Sequence, residues 1–522
     1  MTSFSLFEII VDLAYSWTRM FIALVLSIIF SLVVGILAAC NKRAESVIIP
    51  LLDVFQSIPI LGFFPIVILG IITLVPSQIG IDIGVILLIF TSMAWNIAFG
   101  VYEAVKSIPH DYIELSRMPD VGSWRRITNL YIPSSLSRIA YNTETSWAVG
   151  LFYLISSEIL SLGNSTYTVK YGIGVAIIKF AIANDWSGYT YSIMALLVAV
   201  VVWQFVFLRE FALWSERYKF VEEPRGVRHD PLIRFYSWVN HKSISKLFLY
   251  SHSKGVTKFS STLYRFKHGI KYSAIIAVAI FIAFELGALW NLNIGLPAQL
   301  PSVGSILSTE GNVVIALAFS FVRIWYVYFF CVLVGLPLGI AVSLNTKLYE
   351  GLTPVIETVA SVPAPALLPA IAIVTHQGEV VAAIVIFLGM IWYIIFNVMA
   401  GIRSLPAELF ELTSVFHISR IQAWRNIYLP AAATAFVTGS ITAVGAAWNT
   451  LIVAEYFAVS GSTPLTQVQT GIGKTIATAT NTGNLLALTL AVLSMTALII
   501  TFNLVVWRRV YHYTTKRYAY NR

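Results

Sequence analysis

Four ionisable residues, Arg19, Glu158, Arg323 and Glu455, lie within otherwise apolar stretches of the 522-residue chain. A charge at membrane depth is costly and usually pairs with a partner or lines a cavity. Arg19 opens one apolar stretch and Glu158 closes another, and Arg323 and Glu455 repeat that arrangement. Each Arg is therefore expected to pair with its Glu near one face of a membrane. A different chemistry is suggested by Gly471-Ile472-Gly473-Lys474-Thr475, which ends like a phosphate-binding loop. Such a loop needs Gly five residues before its final Gly, and Val468 stands there. The matching Gly172-Ile173-Gly174 is followed by Val175, and both segments are expected on outer loops, so nucleotide binding is excluded. Cys40 and Cys331 lack metal-ligand spacing and are expected to pack inside membrane helices. The chain is thus expected to bind no metal and no cofactor, and to carry no catalytic site.

A second pattern occurs twice. Glu114-Leu115-Ser116 is followed after three residues by Asp120 and after nine more by Leu130-Tyr131-Ile132-Pro133. With the same spacing, Glu411-Leu412-Thr413 leads to His417 and then to Ile427-Tyr428-Leu429-Pro430. Both copies are polar segments between apolar ones. The spacing resembles the EAA loop of ABC-transporter permeases, which docks onto the ATP-hydrolysing subunit. Both copies keep the Glu and the closing Pro, whereas the family's Gly is replaced by Asp120 and His417. Tyr112–Met118 and Leu409–Phe416 are expected to form short helices after Pro109 and Pro406, with Glu114 and Glu411 near their starts, where the helix dipole favours a carboxylate. Pro133 and Pro430 are expected where the next crossing begins, because a missing N–H costs little there.

The elements that hold these residues must be membrane helices. The chain is 58% hydrophobic and 11% charged, with a mean hydropathy of +0.79, which places it among integral membrane proteins. The net charge of +9 fits a membrane protein whose Lys and Arg collect on one side, and no nucleic-acid partner is expected. No removable signal peptide is expected at the N-terminus. Crossings are predicted near 15–39, 47–75, 83–105, 134–160 and 190–213, and again near 313–343, 352–375, 380–403, 431–458 and 486–507. The two sets form a tandem repeat. At an offset of 304, Arg19, Ser57, Pro59 and Pro65 match Arg323, Ser361, Pro363 and Pro369; at 297, Trp95, Glu114, Pro133 and Glu158 match Trp392, Glu411, Pro430 and Glu455.

Orientation follows from basic residues. Residues 215–271 carry 12 basic against 4 acidic side chains. That linker, both loop motifs and the tail with Arg508, Arg509, Lys516, Arg517 and Arg522 are therefore expected in the cytoplasm, with the N-terminus outside. Five crossings per repeat is an odd number, so an additional apolar segment at 272–290 is needed to make the repeats parallel. The predicted layout is an all-α polytopic membrane protein with about eleven crossings. It comprises a first five-helix repeat (1–214), a cytoplasmic linker (215–271), an orientation-resetting helix (272–290), a second five-helix repeat (291–507) and a basic tail (508–522).

Ser57-Ile58-Pro59 through Pro65 and Ser361-Val362-Pro363 through Pro369 look like the Pro-broken core helix of the nitrate, sulfonate, taurine and bicarbonate branch of the ABC permeases, and suggest a substrate path because freed carbonyls are tolerated only against protein or water. Ala447-Trp448 through Ala454-Glu455 and Gly471-Ile472-Gly473 also resemble that branch. The resemblance implies an importer permease in the cell membrane whose fused halves replace a permease dimer. It further implies two copies of a separate ATPase carrying ATP and Mg, an extracytoplasmic substrate-binding protein, and a small solute, an anion by analogy. An ion-coupled secondary transporter with parallel repeats is the main alternative, and a membrane scaffold without transport is a second.

Overall fold

The computed structural model describes residues 6–57, 59–75, 78–116, 118, 122–162, 169–215, 218, 303–405, 419–460 and 468–518. The linker after Tyr218, the predicted crossing at 272–290, Asp120, and the second loop motif through Glu411, Leu412, Thr413 and His417 lie outside them.

Every described element is helical. In the first half α1 is Leu6–Cys40, α2 Lys42–Ser57, α3 Ile60–Leu74, α4 Gln78–Lys106, α5 His110–Ser116, α6 Ser123–Arg126, α7 Ile132–Leu162, α8 Ile173–Ile182, α9 Trp186–Val202 and α10 Arg209–Ser215. In the second half α11 is Val303–Leu344, α12 Thr346–Ala360, α13 Ala364–Thr375, α14 Gly378–Arg403, α15 Arg420–Ala423, α16 Leu429–Ser460, α17 Ile472–Asn481, α18 Leu485–Phe502 and α19 Arg508–Tyr518. Seven of these stretches are long and apolar enough to cross a membrane, or eight if α12 and α13 count together.

Where the elements depart from expectation, the causes are local. The segment at 47–75 is two helices, α2 and α3, parted at Pro59 in line with the Pro-broken reading, and α12 and α13 meet at 83° at Pro363. Pro59 and Pro363 stand immediately before α3 and α13, where no intrahelical N–H is required. Pro65 and Pro369 lie buried inside those two helices. Helix α1 begins at Leu6 rather than near residue 15, so Arg19 sits well inside it instead of at its start. The segment at 134–160 is a 31-residue helix, α7, but it is not among the apolar spans. Only its described residues enter that comparison, and they include the polar run Asn142, Thr143, Glu144, Thr145 and Ser146. Much of α7 is accordingly packed among other helices.

Neither Pro133 nor Pro430 opens a new helix. A π turn, Ile127–Tyr131 or Trp424–Tyr428, joins α6 to α7 and α15 to α16 without a break. The Ile132 N–H bonds the Ile127 carbonyl and the Leu429 N–H bonds that of Trp424. The wider turn accommodates a proline ring that would collide with a carbonyl in a regular α-helix.

Small residues let the helices approach. On α1, Ser16, Ala23, Ser27, Ser31, Gly35 and Ala38 are buried. A Cβ on Gly35 would lie 2.7 Å from Val101 of α4. Ser31 Oγ donates across the same seam to the Ala94 carbonyl at 2.9 Å. This is how membrane helices associate when lipid offers no hydrophobic driving force. The halves are joined as well: α3 packs on α16 and α17, and α13 on α7 and α8. Tyr189 Oη donates to the Ala366 carbonyl at 3.0 Å, and the Leu61 N–H reaches Asn449 Oδ1 at 3.4 Å.

Candidate functional site

Two matching polar networks lie at the end of the bundle where α4 and α14 begin. In the first, Arg19 Nη1 bonds Glu158 Oε1 at 2.8 Å. Its Nη2 and Nε bond Asp82 Oδ1 at 2.7 and 3.0 Å. Glu158 also accepts from Ser16 Oγ at 2.7 Å and from the Gly174 N–H at 2.7 Å. In the second, Arg323 Nη1 bonds Glu455 while Nη2 and Nε hold Glu379 Oε2 at 2.6 and 2.9 Å. Ser320 Oγ donates to Glu455 at 2.8 Å and the Gly473 N–H at 2.7 Å. Both Glu carboxylates are fully buried and both guanidiniums nearly so. Asp82 and Glu379 remain partly exposed.

The glycine pairs belong to these networks. Gly172 and Gly471 directly precede α8 and α17, which are ten-residue buried helices and not the outer loops expected from sequence. A Cβ at either glycine would overlap the Glu158 or Glu455 carboxyl group. The apparent phosphate loop is thus a backbone cradle for a carboxylate of the same chain, since helix N-termini favour anions. Lys474 turns away and donates to the Val468 and Gln469 carbonyls at 2.9 and 3.1 Å. The networks are not identical: the Gly172 N–H reaches Asp12 Oδ1 at 3.1 Å, and the residue matching Asp12 is Ala316.

Sequence inspection overlooked Ser16, Ser320, Asp82 and Glu379. The repeat offsets find them, since Ser16 matches Ser320 at 304 and Asp82 matches Glu379 at 297. Glu144 was also overlooked; its Oε1 accepts from Gln204 at 2.5 Å, between α7 and the turn after α9.

At the opposite end of the bundle, α5 presents the first loop motif. Tyr112 and Ile113 donate their N–H groups to the Pro109 carbonyl at 3.1 and 3.4 Å. The helix therefore starts at His110, earlier than expected, and Glu114 falls outside its first turn, which holds Asp111 instead. Glu114 Oε1 meets His110 Nδ1 at 3.2 Å, with both side chains exposed. A surface contact of this kind contributes about 1 kcal/mol at most. Leu115 is exposed, Ser116 is buried, and Arg126 Nε closes the helix end by donating to the Ser116 carbonyl at 3.0 Å.

Beside this loop the halves differ. Glu45 at the start of α2 takes hydrogen bonds from Lys106 at 2.8 Å and Tyr102 at 2.5 Å, which hold its carboxyl below its ordinary range. At the matching place Arg403 lies 4.0 Å above the Tyr349 ring. A cation–π contact thus replaces an ion pair.

Comparison with known proteins gives a consistent family. The family described as "Binding-protein-dependent transport system inner membrane component" matches the chain twice, over residues 31–212 and 331–514. Similar proteins include a nitrate import permease protein of Leptolyngbya laminosa, 28% identical over 139 residues (27% of this chain, 50% of the relative). A taurine transport system permease protein of Escherichia coli is 32% identical over 144 residues (28% and 52%). A bicarbonate transport system permease protein of Synechococcus elongatus is 29% identical over 123 residues (24% and 44%). The chain spans about half the length of the curated relatives it matches.

Proposed function

Because the chain belongs to the family of binding-protein-dependent transport system inner membrane components, we propose that it forms the translocation pathway of an ABC importer. The observation that carries this reading is the double family match, which covers both halves of the sequence repeat in one chain. The two halves take the place of a permease dimer. Each loop motif docks one copy of a separate ATPase, which carries the ATP and Mg. The first loop does so through α5 with Glu114 and Leu115 outermost, and the second through Glu411, Leu412, Thr413 and His417. The Pro-parted pairs α2–α3 and α12–α13, with Ser57, Pro59, Pro65, Ser361, Pro363 and Pro369, flank the path. A substrate-binding protein delivers the solute at the end carrying the Arg–Glu networks. Relatives named for nitrate, taurine and bicarbonate support a small anion.

Proteoliposomes holding this chain, its ATPase and its binding protein are expected to accumulate nitrate, taurine or bicarbonate on addition of ATP, with no ion gradient. Uptake driven by a proton or sodium gradient without the ATPase would instead establish the secondary-transporter alternative.

In this reading the chain crosses the membrane eleven times, with the additional crossing at 272–290 and the N-terminus outside. The divisions at 214, 271, 290 and 507 follow from it. A single cysteine placed at Ser253 in the basic linker is expected to resist membrane-impermeant thiol reagents applied to intact cells and to react in inside-out vesicles. Labelling from outside would invert the topology.

A further inference from the structure

Helix α7 is exposed along one narrow stripe. Among its described residues the exposed ones are Arg138, Tyr141, Thr145 and Ala148, which recur at three- and four-residue intervals and so share one face. Helix α16 repeats this: beyond its first turn the exposed residues among those described are Thr438, Thr442 and Gly445, at an offset of 297 from Tyr141, Thr145 and Ala148. The direction of the α16 stripe is set by Asn449, one turn further along it. Its side chain reaches the first half, at the Leu61 N–H (3.4 Å) and the Tyr153 hydroxyl. Thr438, Thr442 and Gly445 therefore face the first half as well, yet they remain exposed. The halves meet around Asn449 and Tyr153 and part towards the end that carries the loop motifs, leaving a cleft.

The cleft is chemically one-sided. Arg138 has no hydrogen-bond or ionic partner among the described residues, and neither does the Tyr141 hydroxyl one turn away. Ala435 and Thr438 stand at the matching places. Next to them, Asn96 of α4 donates to Thr145 Oγ1 and Ser146 Oγ at 3.0 and 2.9 Å, and Asn142 donates to the Asn96 carbonyl at 2.8 Å. The residue matching Asn96 is Tyr393. An unpaired guanidinium on a membrane helix is tolerated where it meets water. Its planar donors match the oxygens of a carboxylate, sulfonate or inorganic oxyanion.

We propose that Arg138 and Tyr141 form a contact site for an oxyanion passing through this cleft, with the second half supplying only the neutral wall of Thr438, Thr442 and Gly445. The proposal rests on the importer reading for the identity of what passes, but the charge of the cleft can be measured separately. A chain with Cys40→Ser and Cys331→Ser, carrying Thr145→Cys as its one thiol, is prepared in inside-out vesicles. Its rates of modification by an anionic and a cationic methanethiosulfonate reagent are then compared. Thr145 lies two turns from Arg138, about 10 Å along the helix. A unit charge at that distance in water favours the anionic over the cationic reagent by about fourfold. We expect Arg138→Gln to abolish that preference and Arg138→Lys to retain it. An unchanged ratio in Arg138→Gln, or no modification of Thr145→Cys by either reagent while it reacts in denaturant, would overturn the proposal. Neither measurement needs ATP, so absence of ATP-driven uptake would count against the importer reading without altering this result. Where uptake is observed, Arg138→Gln is expected to raise KM for nitrate or taurine at least tenfold, and an unchanged KM would remove the solute from this site.

Discussion

Removal of the Glu455 carboxylate alone, as Glu455→Ala, is expected to destabilise the protein by about 3–5 kcal/mol, the usual cost of breaking a buried ion pair from one side. The carboxylate is fully buried and accepts from Arg323, Ser320 and the Gly473 N–H. Its loss strands those donors and leaves the guanidinium with Glu379, which is half exposed. Removing Arg323 together with Glu455, both replaced by Met, leaves no buried charge and should cost less than Glu455→Ala. The thermal unfolding midpoints of the wild type, Arg323→Met, Glu455→Met and the double variant close a cycle that measures the coupling directly. Simple additivity would show that the two side chains do not act as partners. The first-half equivalent, Glu158→Ala, is expected to be milder. Asp12 supplies a further acidic group close to Arg19 there, where the second half has Ala316.

The charge reversals Glu114→Lys and Glu411→Lys, made together, are expected to reduce ATP-driven uptake by tenfold or more while the chain still inserts and folds. Glu114 is exposed on a seven-residue helix and contributes little to the fold, since the contact it makes among the described residues is with exposed His110. A like charge brought into an interface costs several kcal/mol, and each 1.4 kcal/mol is about tenfold in affinity. Co-purification of the ATPase with the double variant separates lost docking from a later defect. Normal uptake would remove these loops from the coupling. The single variants should differ in severity, because Asp120 and His417 occupy the same place in the two loops and because the neighbouring contact is Glu45–Lys106 in one half and Tyr349–Arg403 in the other.

Much of the architecture was legible in the sequence because membrane helices are specified locally. A run of apolar residues with satisfied backbone bonds has few alternatives in lipid. Long segments such as α1, α4 and α14 could be located for this reason. Duplication made the rest of the pattern visible, since Arg19 and Arg323, or Glu158 and Glu455, stand out when they recur at constant spacing. Element starts were less legible. The start of α1 at Leu6 and of α5 at His110 depends on capping and packing, to which hydropathy is insensitive. The π turns before Pro133 and Pro430 depend on backbone bonding that no composition reveals.

Sequence by itself determined the all-helical membrane class, the internal duplication, the family and the residue types available at each end of the bundle. These rest on composition and spacing along one dimension. Tertiary structure alone decided which of those residues meet. It brought Asp82, Ser16 and the Gly172–Gly174 backbone to the Arg19–Glu158 pair, and Glu379, Ser320 and the Gly471–Gly473 backbone to Arg323–Glu455. It also turned an apparent nucleotide loop into a cradle for a carboxylate, and left Arg138 exposed on α7 without an ionic partner among the described residues. The physical reason is that a buried charge takes every donor or acceptor within reach, and reach is set by how helices more than 100 residues apart in the chain cross and pack.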